Sequence, residues 1–130
     1  MPWIETFGVF VVSHIVGDYV LQTEWQALNK FGGLGRDPVR RRALISHLAS
    51  YTATFIPALI WLASDIGAAA IGIGALIVLP HLVQDDGRPV SLYIRKVKRS
   101  SLQPDDFVFI AVDQSFHVLA LFGAALLAAA

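Results

Sequence analysis

An all-α membrane protein, folded as one bundle of four transmembrane helices, is the architecture this sequence predicts, and three observations predict it. Hydrophobic residues make up 55% of the 130 and charged residues 15%, a balance well away from that of ordinary soluble domains. Four apolar stretches, Trp3–Leu21, Ala43–Ala63, Ile66–Val83 and Phe107–Ala128, each approach the ~20 residues a helix needs to cross ~30 Å of hydrocarbon. All ten Lys and Arg residues fall in two of the three connections: Lys30, Arg36, Arg40, Arg41 and Arg42 in the first, and Arg88, Arg95, Lys96, Lys98 and Arg99 in the third. The middle connection, Ser64–Asp65, has none. By the positive-inside rule the two basic loops are cytoplasmic and both termini face outward, which an even number of spans permits. A soluble bundle would show a charged face on every helix, and none of the four stretches has one.

The first span carries Glu5 instead of a basic flank and no clear cleavage site follows it, so it is expected to be retained as a span, not removed as a signal peptide. In the first loop Gly32, Gly33 and Gly35 give flexibility, and Asp37-Pro38 reads as an N-cap followed by proline at the first helical position. Gln22 continues the face of the first span, while Glu24 and Gln26 are expected to be solvated. Pro57 predicts a kink in the second span. Gly67, Gly74 and His81, spaced by sevens with Ala70 beside them, predict a stripe of close helix approach on the third span, which Gly87 caps. Between the third and fourth spans, Val90, Tyr93, Ile94 and Val97 recur at helical spacing among basic residues. This pattern fits a short interfacial helix or a loop that merely fixes topology. Asp105 and Asp106 suit the positive end of the last helix.

The chemistry lies within the spans. All four histidines, His14, His47, His81 and His117, fall in or at the edge of a predicted span, where ionisable groups are costly and mark function by default. Three form pairs at four-residue spacing with aspartates, namely His14 with Asp18, His81 with Asp85 and Asp113 with His117, and such pairs share a helix face. Applying the topology puts each aspartate nearer the cytoplasm and each histidine about 6 Å deeper. His47 joins the histidine layer. Carboxylates and imidazoles converging from several helices are how bundles hold one or two metal ions, and the mixed donors suit zinc, manganese or iron. The expected ligands are His14, Asp18, His47, His81, Asp85, Asp113 and His117. Seven donors exceed what one four-coordinate ion takes, so two ions, or one ion and a carboxylate base, are expected. A cation would also account for Asp85 and Asp86 at the negative end of a helix, although Asp86 reads better as a loop carboxylate. Pro80 should distort the helix beside His81. Tyr51 reads as a partner of His47 or a packing residue, and Gln114 as a support for Asp113 or a packing residue. With no cysteine, thiolate ligands, disulfides and cysteine nucleophiles are excluded.

The run His14-Ile15-Val16-Gly17-Asp18-Tyr19-Val20-Leu21-Gln22, then His47, His81 to Asp85, and Asp113-Gln114-Ser115-Phe116-His117 resembles the bacterial membrane family designated domain of unknown function 3307. The resemblance covers nearly the whole chain. It implies an arrangement of residues more than a reaction. A more distant resemblance, in general pattern only, is to the membrane-bound metal-dependent hydrolases, and it implies metal-assisted hydrolysis.

The expected function is that of a metal-dependent hydrolase of the bacterial cytoplasmic (inner) membrane, open to the cytoplasmic leaflet and acting on a phosphoester or lipid head group. Asp18, Asp85 and Asp113 are the candidate catalytic residues. The competing function is a metal-ion or proton transporter using the same cluster, although no polar residues continue a path through the outer halves of the second and third spans. Bis-histidine haem ligation leaves the aspartates without a role, and a purely structural polar layer is the remaining alternative. Membrane lipids and an anionic lipid or phosphate are the expected partners. Nucleic acid is not among them, and self-association into a homo-oligomer is compatible with so small a surface.

Overall fold

The computed structural model describes residues 1–130 and contains six α-helices and no strand. They are α1 (Trp3–Ile15), α2 (Glu24–Asn29), α3 (Pro38–Ile66), α4 (Ala69–Asp86), α5 (Arg88–Lys96) and α6 (Phe107–Ala129). Three of them, α3, α4 and α6, are long and apolar enough to cross a membrane. A π-helical turn, Val16–Val20, carries α1 onward without a break.

The long helices form a closed ring in which α1 packs on α3 and α6, and α4 packs on the same two. Local chemistry sets their ends. Asp37 caps α3, its Oδ1 accepting from the Val39 and Arg40 N–H groups at 2.9 and 3.3 Å, and Pro38 opens the helix as expected. Such a cap contributes about 1 kcal/mol. Gly87 closes α4 in the left-handed region (φ 80°), and the Phe31 ring lies where a β-carbon would stand.

Several details differ from expectation. The helices outrun the apolar stretches to the predicted caps at Asp37 and Gly87, whereas at their other ends α3 continues past Ala63 to Ile66 and α4 starts at Ala69 instead of Ile66. Pro57 and Pro80 lie inside α3 and α4, and neither proline ends its helix. Gly67 stands outside α4 as the cap of α3, at φ 61°, so the close-approach stripe reduces to Ala70, which is buried, and Gly74, which meets Leu59. Glu24 is exposed as expected, but Gln26 in the same helix α2 is half-buried, forming a reciprocal capping box with Thr23 and donating to Ser46 Oγ at 3.2 Å. Short helix α5 does form, burying Val90 and Ile94 and leaving Val97 exposed.

Two apolar clusters bracket the centre of the bundle. Phe10, Phe55, Leu62, Ile73, Ile77 and Leu121 fill the half that holds the α3–α4 turn. At the other end Val90, Ile94 and Phe109 pack beneath α5 with Phe31 and Phe116 against them. The outer faces are apolar as well, with Val12, Ile60, Ile71, Leu79 and Leu119 all exposed. An apolar exterior around a polar centre suits lipid, where nothing drives greasy side chains inward.

Candidate metal centre

Between the two apolar clusters all four histidines are buried, together with Asp18 and Asp85. Helix α3 contributes His47, α4 contributes His81 and Asp85, and α6 contributes His117. Asp18 comes from the π-turn. Such wide turns add a residue to the helical circuit and recur at functional sites. Gly17 allows the turn to dock, since a β-carbon there would stand 2.6 Å from the Tyr51 ring.

The donors converge on one another. His47 Nε2 lies 3.0 Å from Asp18 Oδ1 and 2.8 Å from Asp85 Oδ2, and His81 Nε2 lies 2.8 Å from Asp85 Oδ2 and 3.6 Å from Asp18 Oδ1. The two imidazole nitrogens face each other at 3.2 Å. Despite these distances, Asp18 Oδ1 and Asp85 Oδ2 accept no well-aligned hydrogen bond, and Nδ1 of both histidines is buried without a partner. Four donors that each bind one ion at ~2.0–2.2 Å are themselves roughly 3.0–3.5 Å apart, so the spacing fits a shared cation. Asp18 Oδ1 is thus a buried oxygen with an unmet need that a cation there would satisfy, whereas Asp85 Oδ2 also has the Lys30 ammonium beside it at 3.1 Å.

His117 completes the group from the other side of Asp85. Its Nδ1–H donates to the Asp113 backbone oxygen at 2.7 Å, so the opposite nitrogen, Nε2, is the one that meets Asp85 Oδ1, at 3.1 Å. A backbone carbonyl that fixes the tautomer of an inward-facing histidine is the usual outer support of a metal ligand. Donor atoms of Asp18, His81, Asp85 and His117 all lie within 4.8 Å of one another, which is the spacing a metal-binding group needs.

His14 and Asp113 stand at the edge of this group. His14 Nδ1 accepts from the Tyr51 hydroxyl at 3.0 Å, and its Nε2–H donates to Gln114 Oε1 at 2.7 Å. Gln114 Nε2 in turn donates to Asp18 Oδ2 at 3.1 Å, so Gln114 supports Asp18, not Asp113. Tyr51, His14 and Gln114 therefore form a chain that orients Asp18. Asp113 Oδ1, 3.8 Å from His117 Nδ1, is buried without a hydrogen-bond partner, and Asp113 is among the residues that line a cavity of about 250 Å³. The cavity is lined also by Asp18, Asp85, Gln22, Gln84 and Lys30, and it lies at the α5 end of the bundle.

Asp86 needs no cation. Its Oδ1 accepts from the Leu34 N–H at 2.8 Å and its Oδ2 from Arg88 Nε at 2.7 Å, which explains a buried carboxylate at a helix C-terminus. Lys30, which the sequence offered only as one of ten basic residues, reaches Asp85 Oδ2 at 3.1 Å. Its separation from the arginine run that begins at Arg36 was the available signal.

A small all-helical protein with membrane-spanning character and a buried His/Asp cluster is the class that this fold and this cluster define. Within that class, residues 6–129 match the family described as protein of unknown function (DUF3307), and the chain belongs to it. No curated protein and no solved structure matches the chain.

Proposed function

We infer that this protein is a metal-dependent hydrolase of the bacterial cytoplasmic membrane, acting on a phosphoester or a lipid head group from the cytoplasmic side. The observation that carries the reading is the convergence of His47 and His81 on Asp18 Oδ1 and Asp85 Oδ2, neither of which accepts an aligned hydrogen bond. In this reading those four residues are ligands, and His117 approaches from the far oxygen of Asp85 as a donor to the same ion or to a second. The first span is α1 with its π-turn, 13 and 5 residues, about 25 Å in all. The basic loops then face the cytoplasm and both termini lie outside.

A bound divalent cation supplies a water of lowered pKa and stabilises the oxyanion that develops on the substrate. The chain's residues do the rest. Asp113, which lines the cavity, takes the proton of the attacking water as general base. Tyr51, His14 and Gln114 hold Asp18 in place. The apolar cluster around Phe10, Phe55 and Leu62 closes the bundle behind the histidines, which supports a one-sided active site over a conduction path.

Metal content measured by plasma mass spectrometry on protein purified in mild detergent tests the reading. Wild type is expected to hold about one or two equivalents of one metal, Asp85→Ala none, and Asp113→Asn the wild-type amount without turnover of phospholipid or polyprenyl phosphate. Wild-type protein that takes up no zinc, manganese or iron overturns it.

A further inference from the structure

Lys30 is the one cationic side chain lining the cavity. Its side chain is 15% exposed, although a lysine at a membrane surface ordinarily extends its ammonium into water. The backbone around it accounts for this inward course. Gly32 N–H donates to the Asp86 carbonyl at 2.7 Å, Leu34 N–H donates to the Asp86 carboxylate at 2.8 Å, and the Phe31 ring covers Gly87. The segment following Lys30 is thereby fastened to the end of α4, one residue from Asp85.

Asp85 Oδ2 consequently faces three nitrogens: Lys30 Nζ at 3.1 Å, and His47 and His81 Nε2 at 2.8 Å each. A metal held by Asp85 Oδ2 and the two imidazoles would stand within a few ångströms of that ammonium. Two cations cannot share that oxygen without repelling each other strongly in a water-poor site. Resting on the metal-dependent reading above, we propose that metal binding displaces Lys30 from Asp85, and that the freed ammonium then holds a phosphoryl oxygen of the substrate in the cavity. The formal charges permit this exchange. One divalent cation balances Asp18 and Asp85, and Lys30 balances Asp113, so the cavity is neutral overall with the ammonium released from Asp85 and beside the amide groups of Gln22 and Gln84. Lysine is a common point-charge binder of phosphate, and a phosphoryl group offers further oxygens to the metal and the amides at once. The cavity, about 250 Å³, is large enough for a phosphate or a small head group, and Phe109 and Ile110 contribute apolar wall.

Two sources share this chemistry, a free phosphate and the phosphate of a lipid head group. The test uses the full chain in mild detergent as wild type, Lys30→Met and Lys30→Arg, with circular dichroism to verify folding. Manganese(II) is titrated first; inorganic phosphate and a short-chain phosphatidic acid are then titrated into manganese-loaded protein. Lys30→Met is expected to bind manganese about tenfold more tightly than wild type and both anions about tenfold more weakly, the scale of one charge-assisted contact. Lys30→Arg retains anion binding. Tighter binding of phosphatidic acid than of phosphate assigns the site to a lipid head group, and equal binding assigns it to soluble phosphate. A Lys30→Met protein that matches wild type in both titrations overturns the proposal while leaving the metal site intact. Failure of all three proteins to bind manganese, zinc or iron overturns the metal reading itself and this proposal with it.

Discussion

The His81 imidazole lies flat on the Tyr51 phenol, with ring centroids 3.4 Å apart and planes 7° from parallel. The same tyrosine donates its hydroxyl proton to His14, so one side chain braces the centre by its face and Asp18 by its edge. The two contributions are separable. Tyr51→Phe keeps the stack and removes one buried hydrogen bond, and should lower unfolding stability by about 1–3 kcal/mol with metal content preserved. Tyr51→Ala removes the stack as well, and metal affinity is expected to fall by roughly ten- to a hundredfold, as it does when ligand supports are lost. Metal titration of both variants checks this. Equal affinities in the two would show that the stack does not hold His81.

Asp85 and Asp86 are adjacent in sequence and differ in what they face. Asp86→Ala leaves the Leu34 N–H without its acceptor and Arg88 without its carboxylate, and should destabilise the fold by about 1–3 kcal/mol. Metal stoichiometry is expected to stay at the wild-type level in that variant. Thermal unfolding followed by circular dichroism, alongside metal analysis of the same preparation, separates the two effects. Loss of metal in stable Asp86→Ala protein would return Asp86 to the ligand set.

Gly17 lets the π-turn carrying Asp18 rest on Tyr51, 2.6 Å from the place of an added β-carbon. Gly17→Ala forces the ring or the turn to move, at a cost of about 1–3 kcal/mol. Because Asp18 is the next residue, metal affinity should drop with stability in this variant. Gly123→Ala, where nothing lies within 4 Å, is the control expected to leave both unchanged.

Much of the site is legible in the amino-acid sequence because helical geometry is local. Four-residue spacing brings His81 and Asp85 onto one face whatever surrounds them, and their contact at 2.8 Å follows from it. The same rule overreaches for His14 and Asp18. It puts them on one face, at 3.7 Å, but says nothing of Tyr51 and Gln114, which occupy both nitrogens of the His14 ring. Asp113 and His117 show the same limit. Their pairing runs through a backbone carbonyl, and the Asp113 side chain is left to the cavity.

Local sequence accounts for the helical fold, the ends of helices at Asp37 and Gly87, and the family membership. Each of these depends on composition, capping chemistry or motif order along one stretch of chain. Packing of the whole chain was needed to decide which His and Asp side chains stand next to one another, that Asp86 is satisfied by Leu34 and Arg88, and that Lys30 turns inward onto Asp85. Those outcomes depend on how the first loop folds over the end of α4 and on the order of helices around the ring, and contacts between distant residues set both.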